Sequence, residues 1–328
     1  MKFLLTFGFL IIASSVVLKA NTCALLSKDS TEISRILELA DISTLGDTDV
    51  EEFDVRIKEI RDLFVAAQDR RGLFATIYAV VTEGGLQELS KEGTFEDVTA
   101  MRRLIIEFAK TYLNSLRGYF GEDSDDKKLL KPQWKKYFEY AENFEVHPLF
   151  VLSTAINTHI TLDLIDAILK SKMRASNEAD YVKMGDSLIG NIDRVIDSLV
   201  VSYGVNRDSA TALLKGFVLK NWKNEDGHSR FGNFSIHYLR NEAWEDAQDI
   251  APWIKDESLP VPDQIEITSH HWKEKTEWWA YQQLFKSGVY FAKDGWSFSY
   301  SNCDATEQDE AVLKSNDFFE DLNEFGSQ

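Results

Sequence analysis

Apolar residues recur at three- and four-residue intervals along most of the chain, the spacing that gives a helix one buried face. In VEEFDVRIKEIRDLFVAAQ the series is Phe53, Ile57, Ile60, Leu63 and Phe64. TEISRILELADI follows Asp29-Ser30, which predicts a short helix with a polar N-cap. GLFATIYAVVTEGGLQEL reads as a nearly buried helix that Gly84-Gly85 interrupts or ends. FEDVTAMRRLIIEFAKTYLNSLRGYF is a long amphipathic helix, followed by the charged loop GEDSDDKK. Pro132 opens QWKKYFEYAENF at a favoured first-turn position. The most apolar helix runs from His147-Pro148 to about Lys170. ADYVKMGDSLIGNIDRVIDSLV, SATALLKGFVLKNW, NFSIHYLRNEAWEDAQDI and EKTEWWAYQQLFKSGVY complete the set. No run alternates in the manner of a strand, and no repeat stands out. The pattern therefore predicts an all-α fold: a multi-helix bundle with a mostly buried central helix around residues 147–170.

The first twenty residues change that picture. MKFLLTFGFLIIASSVVLKA has an early lysine, an apolar run and then small residues, the pattern of a cleaved secretory signal peptide at 1–20. It predicts a secreted or periplasmic protein, and no later segment reads as a stable membrane span. With no composition break after it, residues 25–303 read as a single helical domain, followed by an acidic, flexible tail at 304–328. The two cysteines, Cys23 and Cys303, lie near opposite ends of the mature chain and could close one bridge in an oxidising compartment. A formal charge of −18 argues against nucleic acid as a partner, because phosphate binding needs a basic footprint. There is no glycine-rich phosphate loop, no G-x-S-x-G elbow and no Cys/His zinc set. Those absences remove the common nucleotide-binding and serine-hydrolase readings.

Candidate chemistry concentrates in AINTHITLDLIDAIL. On a helical wheel His159 and Asp163 fall beside Leu152, Ile156 and Ala167, so they interrupt the apolar stripe itself. Buried ionisable groups must be paired or ligated. Three arrangements satisfy that demand. The pair contributes two ligands to a divalent metal such as zinc, with Glu83 as the third. Alternatively, Asp163 orients His159 as a metal-free general base. In the third, the groups only satisfy each other and neighbouring helices. In NFSIHYLRNEAWEDAQDI, Arg240 shares a stripe with Ile236, Ala243 and Ala247, with Trp244 at its edge. Arg240 then either pairs with Asp163 or clamps an anionic ligand group against Trp244.

AINTHITLDLIDAIL resembles the NAHINxDLPLAL stretch of an uncharacterised helical family, domain of unknown function 5995. LFATIYAVVTE is similar to that family's aromatic-x3-Tyr-x2-Val-Thr-Glu helix, here Phe74, Tyr78, Val81, Thr82 and Glu83. NFSIHYLRNEAWEDA resembles a later segment that carries Arg240 and Trp244, and ADYVKMGDSL a region in which Gly185 replaces Asn. The resemblance covers roughly residues 50–250 and implies a helical domain without an established activity. Its motifs single out Tyr78, Thr82, Glu83, Asn157, His159, Asp163, Arg240 and Trp244. The expectation is a buried polar site built on His159, Asp163, Glu83 and Arg240, with Tyr78, Thr82, Asn157 and Trp244 as ligand-binding residues. It would belong to a hydrolase of a small or lipid-like substrate, with a divalent metal as the cofactor to test. The alternatives are a non-catalytic small-ligand-binding module, or a structural and interaction protein held by a buried Asp163–Arg240 pair.

Overall fold

The computed structural model describes residues 25–144, 146–218 and 236–251. The segment read as a signal peptide, both cysteines, the segment read as an acidic tail and the tryptophan-rich stretch around residue 278 lie outside those residues. Among the described residues there are helices and turns and no strand.

Local chemistry starts most of the helices. Ser30 accepts from the Ile33 amide at the head of α1 (Thr31–Leu39), the predicted cap. Asp49 caps α2 (Val50–Ala66) and Asp97 caps α4 (Val98–Phe120) in the same way. Between them, α3 (Leu73–Leu89) runs unbroken through Gly84-Gly85, where the sequence predicts a break or an end. The reason is tertiary. Both glycines are buried, and a Cβ on Gly84 would meet Asn191 Nδ2 at 2.3 Å, so close packing uses the missing side chain. The charged loop holds one short helix, α5 (Ser124–Lys128), and Pro132 begins α6 (Pro132–Glu142) as expected.

His147 and Pro148 then start α7 (Pro148–Thr158), whose every residue is buried. A π turn over His159–Asp163 joins α7 directly to α8 (Leu164–Lys170). The stretch predicted as one helix from residue 179 divides at Asn191 into α9 (Glu178–Gly190) and α10 (Ile192–Tyr203). α11 (Arg207–Val218) and α12 (Ile236–Ile250) complete the order.

Pro148–Lys170 is long and apolar enough to cross a membrane by length and composition, but its most apolar stretch is 94% buried inside the fold. It is the central helix of the bundle. α3 and α6 pack along its first half, whereas α4 and α12 pack on the π turn and α8. One continuous apolar core runs from Ile33 in α1 to Ala247 in α12. A buried polar knot ties the start of the described chain to this core. Arg71 Nε bonds Asp69, its Nη1 reaches Glu142 at 3.1 Å, and its Nη2 donates to the Leu26 carbonyl at 2.7 Å.

Candidate functional site

The central helix widens at the residues that carry the chemistry. In the π turn the Leu164 amide donates to the His159 carbonyl five residues back. Such a turn adds one residue to the helix and rotates the C-terminal half by about 100°. It brackets the ionisable pair at both ends.

Asp163 is fully buried, and both carboxylate oxygens are engaged. Lys131 Nζ donates to Oδ1 at 2.9 Å, and Trp134 Nε1 donates to Oδ2 at 2.8 Å. Both donors come from the start of α6: Lys131 is its N-cap residue and Trp134 lies in its first turn. Lys131 Nζ also bonds Asp166 Oδ2 at 2.7 Å, so one ammonium sits between two carboxylates. Burial would raise the Asp163 carboxyl, but the Lys131 ammonium and the hydrogen bonds from His159 and Lys131 prevail and bring its pKa down to about 2. Asp163 is therefore a carboxylate at any ordinary pH.

That charge state assigns the histidine. His159 Nδ1 lies 3.1 Å from Asp163 Oδ2, and a carboxylate only accepts, so Nδ1 carries the proton and donates. Burial, the largest influence on His159, holds its pKa below the ordinary value against the pull of Asp163. The imidazole is thus neutral, and Nε2 presents a lone pair. Nε2 is buried and has no hydrogen-bond partner among the described residues. Leaving a buried acceptor unmade costs about 1–3 kcal/mol, so native structures rarely tolerate it without a reason.

Aromatic rings hold the imidazole in place. Phe108 stacks on its face with centroids 3.5 Å apart, and Tyr78 and Phe74 meet it edge-on at 4.9 and 5.1 Å. The Tyr78 hydroxyl is likewise buried without a partner among the described residues, and so is the Thr82 hydroxyl one turn along α3. Burial raises the Tyr78 phenol well above its usual value, and the nearby Asp163 charge adds to this. Thr82 also departs from its own kind. Thr76, Thr158 and Thr161 each donate to the carbonyl four residues back. Three buried polar atoms therefore keep hydrogen-bonding capacity: the His159 ring nitrogen, the hydroxyl of Tyr78, whose ring meets the imidazole edge-on, and the hydroxyl of Thr82 one turn along α3.

Other predicted members go elsewhere. Glu83 stands at the α2–α3–α10 surface, pairing with Lys58 at 3.2 Å and with Arg194. It does not join His159 and Asp163, and among the described residues no group of three His, Cys, Asp or Glu could hold a metal ion. Arg240 does not pair with Asp163, which takes its cation from Lys131. The Arg240 guanidinium instead lies 4.5 Å over the Tyr181 ring and donates to the Tyr181 carbonyl at 3.1 Å. Trp244 stacks on the same tyrosine ring at 4.7 Å. Gly185 admits the arginine, since a Cβ there would meet its Nε at 2.5 Å. Arg240 and Trp244 thus make a separate cluster between α9 and α12. Asn157 is fully buried on α7, two residues before His159 and hence on another face of the helix.

Lys131, Trp134, Asp166 and Phe108 were not among the expected site residues. One signal for the cation was present: Asp163 and Asp166, three apart in an apolar helix, call for a positive charge. Which lysine answers lies about thirty positions away and has no local signature.

Fold and site together define the class: an all-helical bundle whose interior holds a neutral histidine oriented by a salt-bridged carboxylate. The profile of the family of unknown function DUF5995 matches residues 50–270, a stretch that includes every one of these side chains. The chain belongs to that family. No curated protein and no solved structure matches it.

Proposed function

We propose that this protein is an exported helical enzyme that hydrolyses a small, largely apolar or lipid-like substrate, with His159 as a metal-free general base. The observation that carries the reading is His159 Nε2, a buried lone pair without a partner among the described residues, on an imidazole that Asp163 orients. A water positioned against Nε2 would give up its proton as it attacks, and the imidazolium so formed would lie against the Asp163 carboxylate. The hydroxyls of Tyr78 and Thr82 would donate to the oxygen on which negative charge develops. Glu83 has no part in this scheme, because its ion pairs lie elsewhere. The signal-like segment at residues 1–20 supports export.

The test is a screen of p-nitrophenyl esters from acetate to decanoate, with the wild type beside His159→Gln. Loss of about 10²-fold or more in kcat/KM is expected, the usual contribution of a general base. Turnover that survives His159→Gln unchanged would end the assignment. A second reading, a ligand-binding module without chemistry, is favoured by one feature. Among the described residues, no serine, threonine or cysteine hydrogen-bonds to His159 as a nucleophile would. Native mass spectrometry of the purified protein separates the two: a retained ligand released intact supports binding alone.

A further inference from the structure

We infer that the molecule taken up at His159 is uncharged and places a hydroxyl or amide N–H against Nε2, with an oxygen for the hydroxyls of Tyr78 and Thr82. This rests on the reading of the unpartnered His159 Nε2 as a ligand site, and adds to it the chemical class of the ligand.

The charge balance of the site excludes anions first. Its cation, Lys131, already bridges Asp163 at 2.9 Å and Asp166 at 2.7 Å. An entering anion would meet a carboxylate behind the imidazole, and it would have no proton to give Nε2. A buried charge without a partner is strongly disfavoured.

Cations fail for a different reason. A desolvated ammonium needs a carboxylate of its own, and the charge of Asp163 is already balanced by Lys131, with Trp134 and His159 also donating to it. The rings that could form an aromatic cage for an onium ion are already packed around the imidazole, with Phe108 stacked on its face. An uncharged donor has neither problem. It satisfies Nε2 and leaves the Lys131–Asp163–Asp166 charges undisturbed.

Four probes of matched size isolate the point: benzyl alcohol, toluene, benzoate and benzylammonium. Each is titrated at pH 7 into the full chain carrying 15N-labelled histidine, and the His159 Nε2 resonance is followed. It is assigned by its absence in His159→Gln, or, if that variant fails to fold, by its depressed pH titration. Benzyl alcohol should shift the resonance and bind about tenfold more tightly than toluene, which is about 1.4 kcal/mol for satisfying one buried acceptor. Benzoate and benzylammonium should bind at least about tenfold more weakly than the alcohol. Thr82→Val, which removes a hydroxyl at nearly constant volume, should shrink the advantage of the alcohol over toluene. Preference for either charged probe would overturn the inference and leave the ligand site standing. If no probe moved the His159 resonance, the ligand site itself would fall, and the inference with it.

Discussion

Asp163 sets the charge and tautomer of everything around it. Lys131 holds it ionised, Trp134 fixes its orientation, and its Oδ2, which can only accept, assigns the proton on His159. Removing the cation should therefore be strongly destabilising. Lys131→Met leaves a buried carboxylate facing only neutral donors, and about 3 kcal/mol of stability should be lost in urea unfolding at pH 7. The low end of the usual range is expected because the Lys131 side chain keeps 33% of its surface exposed. A loss under about 1 kcal/mol, typical of a surface pair, would show that the bridge is not a buried one. The pH dependence comes from the same groups. The folded pKa of Asp163, about 2, lies below its ordinary 3.8. Its contribution, about 2 kcal/mol, is therefore complete above pH 4–5 and lost as pH falls toward 2. His159 is also depressed, so the unfolded chain takes up its proton first and stability begins to fall below pH 6.5. Both groups act in the same direction. Urea midpoints should decline steadily from pH 7.5 to 3.5, and an NMR titration placing His159 at or above 6.5 would contradict the buried neutral imidazole.

At the scale of elements, the helices meet closely at glycines, and these contacts put α3 where its residues reach the central helix. Gly72 precedes α3 at the point where α2 and α10 converge. A Cβ there would meet Phe64 Cβ at 2.2 Å and the Tyr203 hydroxyl at 2.5 Å. Phe64 Cβ is not the loose end of a side chain, so the helices themselves would have to separate. Gly72→Ala should cost about 3 kcal/mol and lower the midpoint of thermal unfolding followed by circular dichroism. An unchanged midpoint would mean that the α2–α3 junction is slack. The π turn works at the same scale. A helical wheel drawn at constant pitch puts Ala167 in line with His159 and Asp163, but the extra residue at His159–Asp163 shifts the phase of α8. The pairing of His159 with Asp163 survives because both residues lie within the wide turn.

Charge is a property of the whole molecule. A formal −18 repels itself in the compact state, and salt screens that repulsion over distances longer than any single ion pair. Raising sodium chloride from 20 to 300 mM should lift the midpoint of thermal unfolding by about 2 °C or more. A fall would mean that specific surface pairs, such as Arg35 with Glu59, outweigh the general repulsion. The bundle is also the scale at which the site becomes a site. Its members come from α3, α4, α6 and the central helix, and only the shared core brings them within reach of one another.

Amphipathic spacing alone determined that the chain is all-helical. It also determined that residues 147–170 form the buried centre, and that His159 and Asp163 interrupt an apolar stripe and so need each other or a partner. Those properties are local: they depend on which residues recur every three or four positions and on the cost of burying a charge. Tertiary structure decided the partners. Lys131 and Trp134, rather than Arg240, answer Asp163. Glu83 leaves for the surface, and Tyr78 and Thr82 turn their hydroxyls into the interior without an acceptor among the described residues. No periodicity encodes such choices. Helices separated by thirty to eighty residues approach at angles set by the packing of all their side chains, and a charge is answered by whichever donor that packing brings within about 3 Å.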